Sequence, residues 1–414
     1  MSERDDPVAF FRGVAAARSR CFWLDGGGAR EWSGRRSLIG WLDDDDVSLS
    51  YDAARREVTR HTGGRAEVVG DDVFAVLESE LAAGAPSDQW FGYLGYASRP
   101  DLPAAPGELP DAVWMRPSRV RLFDHPAPPA ATSPGQPAVS ATPPSPSYAA
   151  AFARVQRELH AGNSYEVNLT YRTETRSDLD PATAYLRLRE LNPAPYAGFL
   201  QHDVPGARSW LLSSSPERYA LVGADRSIET KPIKGTTPRA ADPAEDERQR
   251  QSLATDPRFR SENLMIVDLL RNDLAMVCAP GTVVVPTLME VESYATVHQL
   301  VSTVRGRLAD GVSTVAALRA LFPAGSMTGA PKLRTMQIIA EVEESPRGVY
   351  SGAFGWVAAD GRADLGVVIR SLMTGGDGRY LLGTGGAITV QSDVVSEHAE
   401  AAVKAERLLA VFAE

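Results

Sequence analysis

The sequence predicts an α+β fold, and three observations carry that expectation. Near the carboxyl end the apolar-rich runs VYSGAFGWVAA, ADLGVVIRSLMT and RYLLGTGGAITV are joined by the turn sequences DGR and GGDG, the wording of an antiparallel meander. SYEVNLTYRTET alternates Tyr165, Val167, Leu169 and Tyr171 against polar residues, the two-residue period of a half-buried strand. Helical stretches fall between strands in unequal blocks rather than one after each strand, which disfavours a doubly wound parallel sheet.

Taken in order, residues 1–124 form an amino-terminal part whose short apolar runs, such as RCFWLDGGG and WFGYLGYASRPDLP, read as strands with loops. Residues 125–147 are rich in Pro, Ala and Ser, lack anything to bury and read as an exposed linker. Residues 148–414 are the part that carries chemistry. A helix opening at Ser147 places Phe152, Val155 and Leu159 on one stripe and closes at Gly162. A second, Arg260 to Leu274, has Leu264, Val267 and Leu270 on its apolar side; a third follows Pro331. SEHAEAAVKAERLLAVFAE reads as a closing helix with Ala401, Leu408 and Val411 inward. No internal repeat is visible.

The 414 residues carry 53 acidic and 43 basic side chains, a net charge of -10, which argues against nucleic acid as a partner. Two cysteines are too few for a disulfide framework or a zinc site. The first residues are acidic where a secretory signal would be basic, and no run reaches ~18 apolar residues, so the expectation is a cytoplasmic protein without membrane contact.

Several residue groups could carry chemistry. Lys234 stands between Pro232 and Gly235 in KPIKGTTPR, a segment too broken for regular structure, where a desolvated amine would have a lowered pKa and act as a nucleophile. A solvated loop lysine fits the same words. Glu217 in SSSPERY is a proton donor if buried and an ordinary surface carboxylate if not. Glu397, Glu400 and Lys404 share one face of the closing helix, so two carboxylates could meet a hard cation, or form a solvated acidic face laced by the lysine. Ser326, Thr328 and Gly329 precede a helix start whose free amides would suit an anion, as would those of any capped helix. Gly385 and Gly386 would let backbone approach a ligand, or make a tight turn. Tyr350 and Arg370 lie on the meander, and Arg370 could fork onto a carboxylate. His298 sits in strand-like alternation.

Together, YEVNLTYR, NPAPY, SSPE, KPIKGTTPR, ENLMIVDLLRNDL, FPAGSMTGAPK, RGVYSGAFG, VVIRS and GGAI before a Glu-bearing helix resemble the chorismate-utilising enzymes, a family that includes anthranilate, isochorismate, salicylate and aminodeoxychorismate synthases. The resemblance covers roughly residues 148–409, and more loosely SLIGW and WFGYLGY. It implies one α+β unit with two large antiparallel sheets packed face to face, helices outside and a cleft between. It also implies Mg²⁺ held by Glu262, Glu397 and Glu400, with chorismate fixed by Tyr350, Arg370, Ser326, Thr328, Gly329, Gly385, Gly386 and Lys404, and His298 at the ring edge. Within the family, Pro-Ile-Lys-Gly-Thr resembles component I of aminodeoxychorismate synthase, where anthranilate synthase has Ala. That implies Lys234 as nucleophile and Glu217 as acid, with 4-amino-4-deoxychorismate as product. Anthranilate synthesis, or a non-catalytic chorismate-binding subunit, are the alternatives. Glu166 stands where the water-adding members carry a lysine base. Phe259, one turn before Glu262, provides no carboxylate, and LDGGG lacks the Leu-Leu-Glu-Ser wording of tryptophan feedback. Nothing resembles a glutamine amidotransferase, so the resemblance implies a separate glutaminase subunit as ammonia source. Lys234→Ala is expected to leave the fold intact.

Overall fold

The computed structural model describes residues 6–26, 36–125, 143–294 and 297–413. The linker expected at 125–147 therefore lies largely outside the described residues, as do Gly27 and Gly28 of the LDGGG segment.

All strand pairings described are antiparallel, and they build two sheets. The nine-stranded sheet runs through Gly329–Ala330, Glu166–Arg176, Arg379–Ile388, Ser371–Thr374, Ser209–Ser215, Tyr196–His202, Arg20–Asp25, Arg36–Trp41 and Arg119–Asp124. The twelve-stranded sheet runs through Ile233–Pro238, Val297–Arg307, Ser227–Lys231, Arg218–Val222, Ala363–Val367, Ala353–Ala358, Gln89–Leu94, Ala112–Arg116, Val47–Asp52, Glu57–Thr62 and Arg65–Gly70, with Val284–Ser293 also paired to Val297–Arg307. Helices pack outside, as expected for α+β.

Side-chain alternation along single strands explains the layering. In Arg20–Asp25, Phe22 joins the core between the sheets, stacked on Phe91 of the other sheet with centroids 4.1 Å apart. Its neighbours Cys21 and Trp23 point to the other face. There Phe11, Tyr185 and Leu408, from helices Pro7–Ala17, Pro181–Leu191 and Val394–Leu409, cover the nine-stranded sheet.

Four local readings need correction. The first helix after the linker spans Pro146–His160, with the Ser145 hydroxyl accepting from the Tyr148 amide, because Ser-Pro supplies an N-cap followed by a residue that needs no amide partner. The carboxyl-terminal runs do not make one meander. Ala353–Ala358 pairs with Ala363–Val367 in one sheet and Ser371–Thr374 with Arg379–Ile388 in the other, so the chain changes sheets at residues 368–370. Arg370, φ 51°, sits at that crossing, and Tyr350 lies just before its strand, so neither is on a meander strand. Lys234 lies within the short strand Ile233–Pro238 rather than in an irregular segment; Gly235, φ 93°, bends it against Leu253 and Phe259.

Candidate active site

A cleft of about 420 Å³, lined by residues of both sheets, falls within the range of small-molecule sites. It gathers residues far apart in sequence: Glu217 from the turn before Arg218–Val222, Lys234 from its bent strand, Glu262 from helix Pro257–Ala275, and Glu397, Glu400 and Lys404 from helix Val394–Leu409. Tyr350, Arg370, Ser326, Gly385 and Gly386 line it too.

Lys234 is 8% exposed, and its Nζ donates to Glu166 Oε1 at 2.6 Å. Glu166 is fully buried, and its Oε2 has no hydrogen-bond partner. Burial alone would depress the lysine pKa. Glu166, Glu262 and Glu217 outweigh it and raise the pKa, so the resting side chain is an ammonium and the sequence-based expectation of a lowered value is overturned. Glu217 is the opposite case. Burial, at 6% exposure, pushes its carboxyl up to about 7, against smaller pulls from Ser326 and Lys234. The Ser326 hydroxyl stands near that carboxyl without being aligned for an ordinary hydrogen bond.

The acidic wall holds Glu262 and Glu397, both buried and both raised in pKa chiefly by that burial, and the more exposed Glu400, which Lys404 lowers from 2.9 Å. Arg258 lies across Glu262 and Glu397, donating to them at 3.0 and 2.8 Å. Among the described residues no three acidic, His or Cys side chains converge closely enough to hold an ion in this arrangement. The donor set itself, three carboxylates in one cleft, two of them made reluctant to ionise by burial and by neighbouring carboxylates, suits a hard divalent cation once the guanidinium withdraws. Cationic side chains line the same cleft, Lys404 and Arg407 from the helix that carries Glu397 and Glu400, and Arg370 from the sheet crossing. Arg370 makes no ion pair among the described residues, and burial, with Arg407 beside it, lowers its pKa to about 10. Lys404 also donates to the Gly385 carbonyl at 3.0 Å. A Cβ on Gly383 would fall 2.3 Å from the Tyr350 ring, which is why glycine lies beneath that tyrosine.

Three sequence candidates are placed elsewhere. Thr328 is fully buried, its hydroxyl turned to the Gly325 carbonyl at 3.2 Å. Gly329, φ 137°, pairs with Val167, and its missing side chain makes room for the Glu166 carbonyl rather than for a ligand. His298 is held between Ser293 at 2.7 Å and Asp246 at 3.1 Å and does not line the cleft. The segment expected to offer free amides is instead tied into backbone pairing: the Met327 and Thr328 amides donate to the Ala324 and Gly325 carbonyls, while the Thr328 and Ala330 carbonyls accept from Asn168 and Tyr165. Sequence reasoning missed Glu166 as a site residue, together with Arg258, Arg407 and Asn168. The signal for Glu166 was slight: the residues between the apolar positions of its strand, Glu166, Asn168 and Thr170, are themselves buried, so the strand is covered on both faces.

The cleft brings carboxylates, cationic side chains and a buried lysine together around one space, the makeup of a small-molecule site. The chain belongs to the chorismate binding enzyme family, whose sequence profile matches residues 19–410. An aminodeoxychorismate synthase of Streptomyces pristinaespiralis is 42% identical over 98% of this chain and 64% of its own length. An aminodeoxychorismate synthase component 1 of Salmonella typhimurium is 43% identical over 63% of the chain and 56% of its own. An anthranilate synthase component 1 of Streptomyces coelicolor is 35% identical over 88% and 82%. The chain thus spans about two thirds or less of the aminodeoxychorismate synthases it matches. Among solved structures, anthranilate synthase component I of Streptococcus pneumoniae superposes with TM-score 0.73 at 24% identity over 91% of this chain and 92% of that one. A 2,3-dihydroxybenzoate-specific isochorismate synthase of Bacillus anthracis gives 0.70 at 19% over 95% and 96%. These two support the fold. No helix among the described residues is long and apolar enough to cross a membrane.

Proposed function

We propose that this chain converts chorismate and ammonia to 4-amino-4-deoxychorismate. The carrying observation is Lys234, buried in the cleft 2.6 Å from Glu166, with the Glu217 carboxyl lining the same space. The higher identity to aminodeoxychorismate synthases than to the anthranilate synthase supports the same reading.

In this reading Lys234 passes a proton to Glu166, and its amine bonds to C2 of the ring while the ring double bonds shift. The C4–O bond breaks, and Glu217 supplies the proton that turns the departing hydroxyl into water. Ammonia then bonds to C4, the double bonds return, and the C2–nitrogen bond breaks. The surplus proton on the new amine goes to Glu217, and Lys234 recovers its own from Glu166, so every group is restored. Arg370, Lys404 and Arg407 hold the carboxylates, with Tyr350 beside the ring. Glu262, Glu397 and Glu400 would hold Mg²⁺, whose chemistry when bound is to neutralise a substrate carboxylate against that acidic wall. A glutamine amidotransferase subunit would supply ammonia, and ammonium salts would replace it in an assay. The product would serve the synthesis of 4-aminobenzoate, for folate or related metabolites, in the cytoplasm.

The test is product identity by mass and chromatography from chorismate, Mg²⁺ and ammonium chloride. The 4-amino product is expected; fluorescent anthranilate as main product, or chorismate bound but unchanged, overturns the reading.

A further inference from the structure

Behind Glu217, away from the cleft mouth, lies a second cavity of about 10 Å³, room for about one water-sized molecule. Its walls are mostly apolar, with Leu270, Leu321, Ala324 and Val367 among them. Two of its lining residues, Glu217 and Ser326, also line the main cleft, so they form the partition between the two spaces. A third, Thr230, is 1% exposed, and its hydroxyl has no hydrogen-bond partner. A buried hydroxyl without a partner is costly, and strand Ser227–Lys231 would satisfy its packing equally well with valine at that position.

Size, polarity and position together select the occupant. The space takes a molecule of about one heavy atom, the size of water. The apolar walls, beside a carboxyl that burial keeps largely protonated to about pH 7, favour a neutral molecule over an ammonium ion. Whatever leaves this cavity toward the cleft passes Glu217, the group assigned to the C4 hydroxyl. We propose that this cavity holds one ammonia molecule, hydrogen-bonded to Thr230, and delivers it past Glu217 to ring carbon C4. This rests on the function proposed above and adds the route and holding site of its second nucleophile. Delivery from this side puts the nitrogen where the departing water was, and the carboxylate left on Glu217 after that departure is in place to take the surplus proton. No group need move between the two half-reactions.

Water has the same hydrogen-bonding chemistry, and the experiment separates the two. With saturating chorismate and Mg²⁺, initial rates of 4-amino-4-deoxychorismate formation are measured against ammonium chloride for the wild type, Thr230→Val and Thr230→Ser. Thr230→Val should raise the KM for ammonia roughly 2- to 12-fold, the worth of one neutral hydrogen bond. The KM for chorismate should stay the same, and Thr230→Ser should restore the wild-type value. Methylamine, one heavy atom larger, should be a poor substitute for ammonia in the wild type. An unchanged KM for ammonia in Thr230→Val, or methylamine accepted as readily as ammonia, leaves the cavity a site for structural water and overturns the proposal. Absence of 4-amino product from the wild type is a different outcome, which removes the functional reading itself and the cavity's role with it.

Discussion

Replacing Lys234 with alanine tests both the nucleophile and the electrostatics that hold it. The substitution removes no large apolar surface, so the sequence alone predicts an intact, unperturbed fold. The structure predicts otherwise, because Glu166 is fully buried and Lys234 is its ion-pair partner. Without the amine the carboxyl must stay charged and unpaired, which costs about 3–5 kcal/mol, or take up a proton. For a carboxyl with an ordinary value near 4.3, protonation at pH 7 costs roughly 2.7 × 1.36, about 4 kcal/mol. At pH 5.5 the same arithmetic gives about 1.6 kcal/mol. The sign follows: the unpaired carboxyl has a folded-state pKa raised above its unfolded value, so the loss of stability is small in acid and grows with pH. With about 2.1 cal/mol/K per residue over this chain, the melting midpoint should fall by about 4 °C at pH 7 and about 2 °C at pH 5.5. Differential scanning calorimetry across that range reads it directly. The double variant with Glu166→Gln should recover most of the difference and lose the pH slope, while 4-amino product is abolished in both. A Lys234→Ala protein that melts with the wild type at pH 7 and above would show that no buried ion pair is present, and unchanged 4-amino product would remove the nucleophile.

Two further outcomes follow from neighbouring groups. In the proposed mechanism Glu217 must be protonated to release the C4 hydroxyl, so activity at saturating substrate should decline above about pH 7, and Glu217→Gln should lower kcat by about 10²–10⁴-fold. Its raised folded pKa also contributes stability that is present below the unfolded value and lost as pH rises through about 7, so the Gln variant should gain on the wild type in a melt at pH 8. Arg258 lies across two of the three carboxylates assigned to Mg²⁺, and its side chain is 41% exposed. Arg258→Met should therefore lower the melting midpoint without metal only slightly, since an exposed cation is well screened. It should also tighten Mg²⁺ binding severalfold by titration calorimetry; weaker binding would mean that Arg258 helps to build the site rather than block it.

What could be read from the sequence was whatever a single segment encodes. Strand and helix character, the caps, and the acidic face of the closing helix depend on neighbours within a turn or two, and the α+β expectation followed from them. Joint wording placed Lys234, Glu217, Glu262 and Glu397 in one site, and all four line the cleft. Sheet membership was not legible, because ADLGVVIRSLMT reads as one unbroken apolar-rich run although the chain changes sheets within it at residues 368–370. Thr328 and Gly329 misled because Ser, Thr and Gly before a helix serve an anion site and a buried backbone crossing equally well. Glu166 was invisible as a partner because its contact with Lys234 spans 68 residues of chain. A pair of opposite charges on two strands has no local signature.

That distant pair also changes how the lysine must be understood. A neutral amine at rest would need an apolar surround, yet three carboxylates act on Lys234, and their sum keeps it charged. An ammonium cannot attack carbon, so in the proposed mechanism the nucleophile would exist only after a proton has moved, and Glu166 at 2.6 Å is the nearest carboxylate to receive it. The same cleft holds Glu217 as an acid up to about pH 7 with little help from counter-ions. One carboxyl is thus hydrogen-bonded to the lysine, and the other is kept neutral by burial in the wall of the same cleft. In the proposed mechanism this division would let a single site accept a proton from the attacking nitrogen and donate one to the departing oxygen at the same pH.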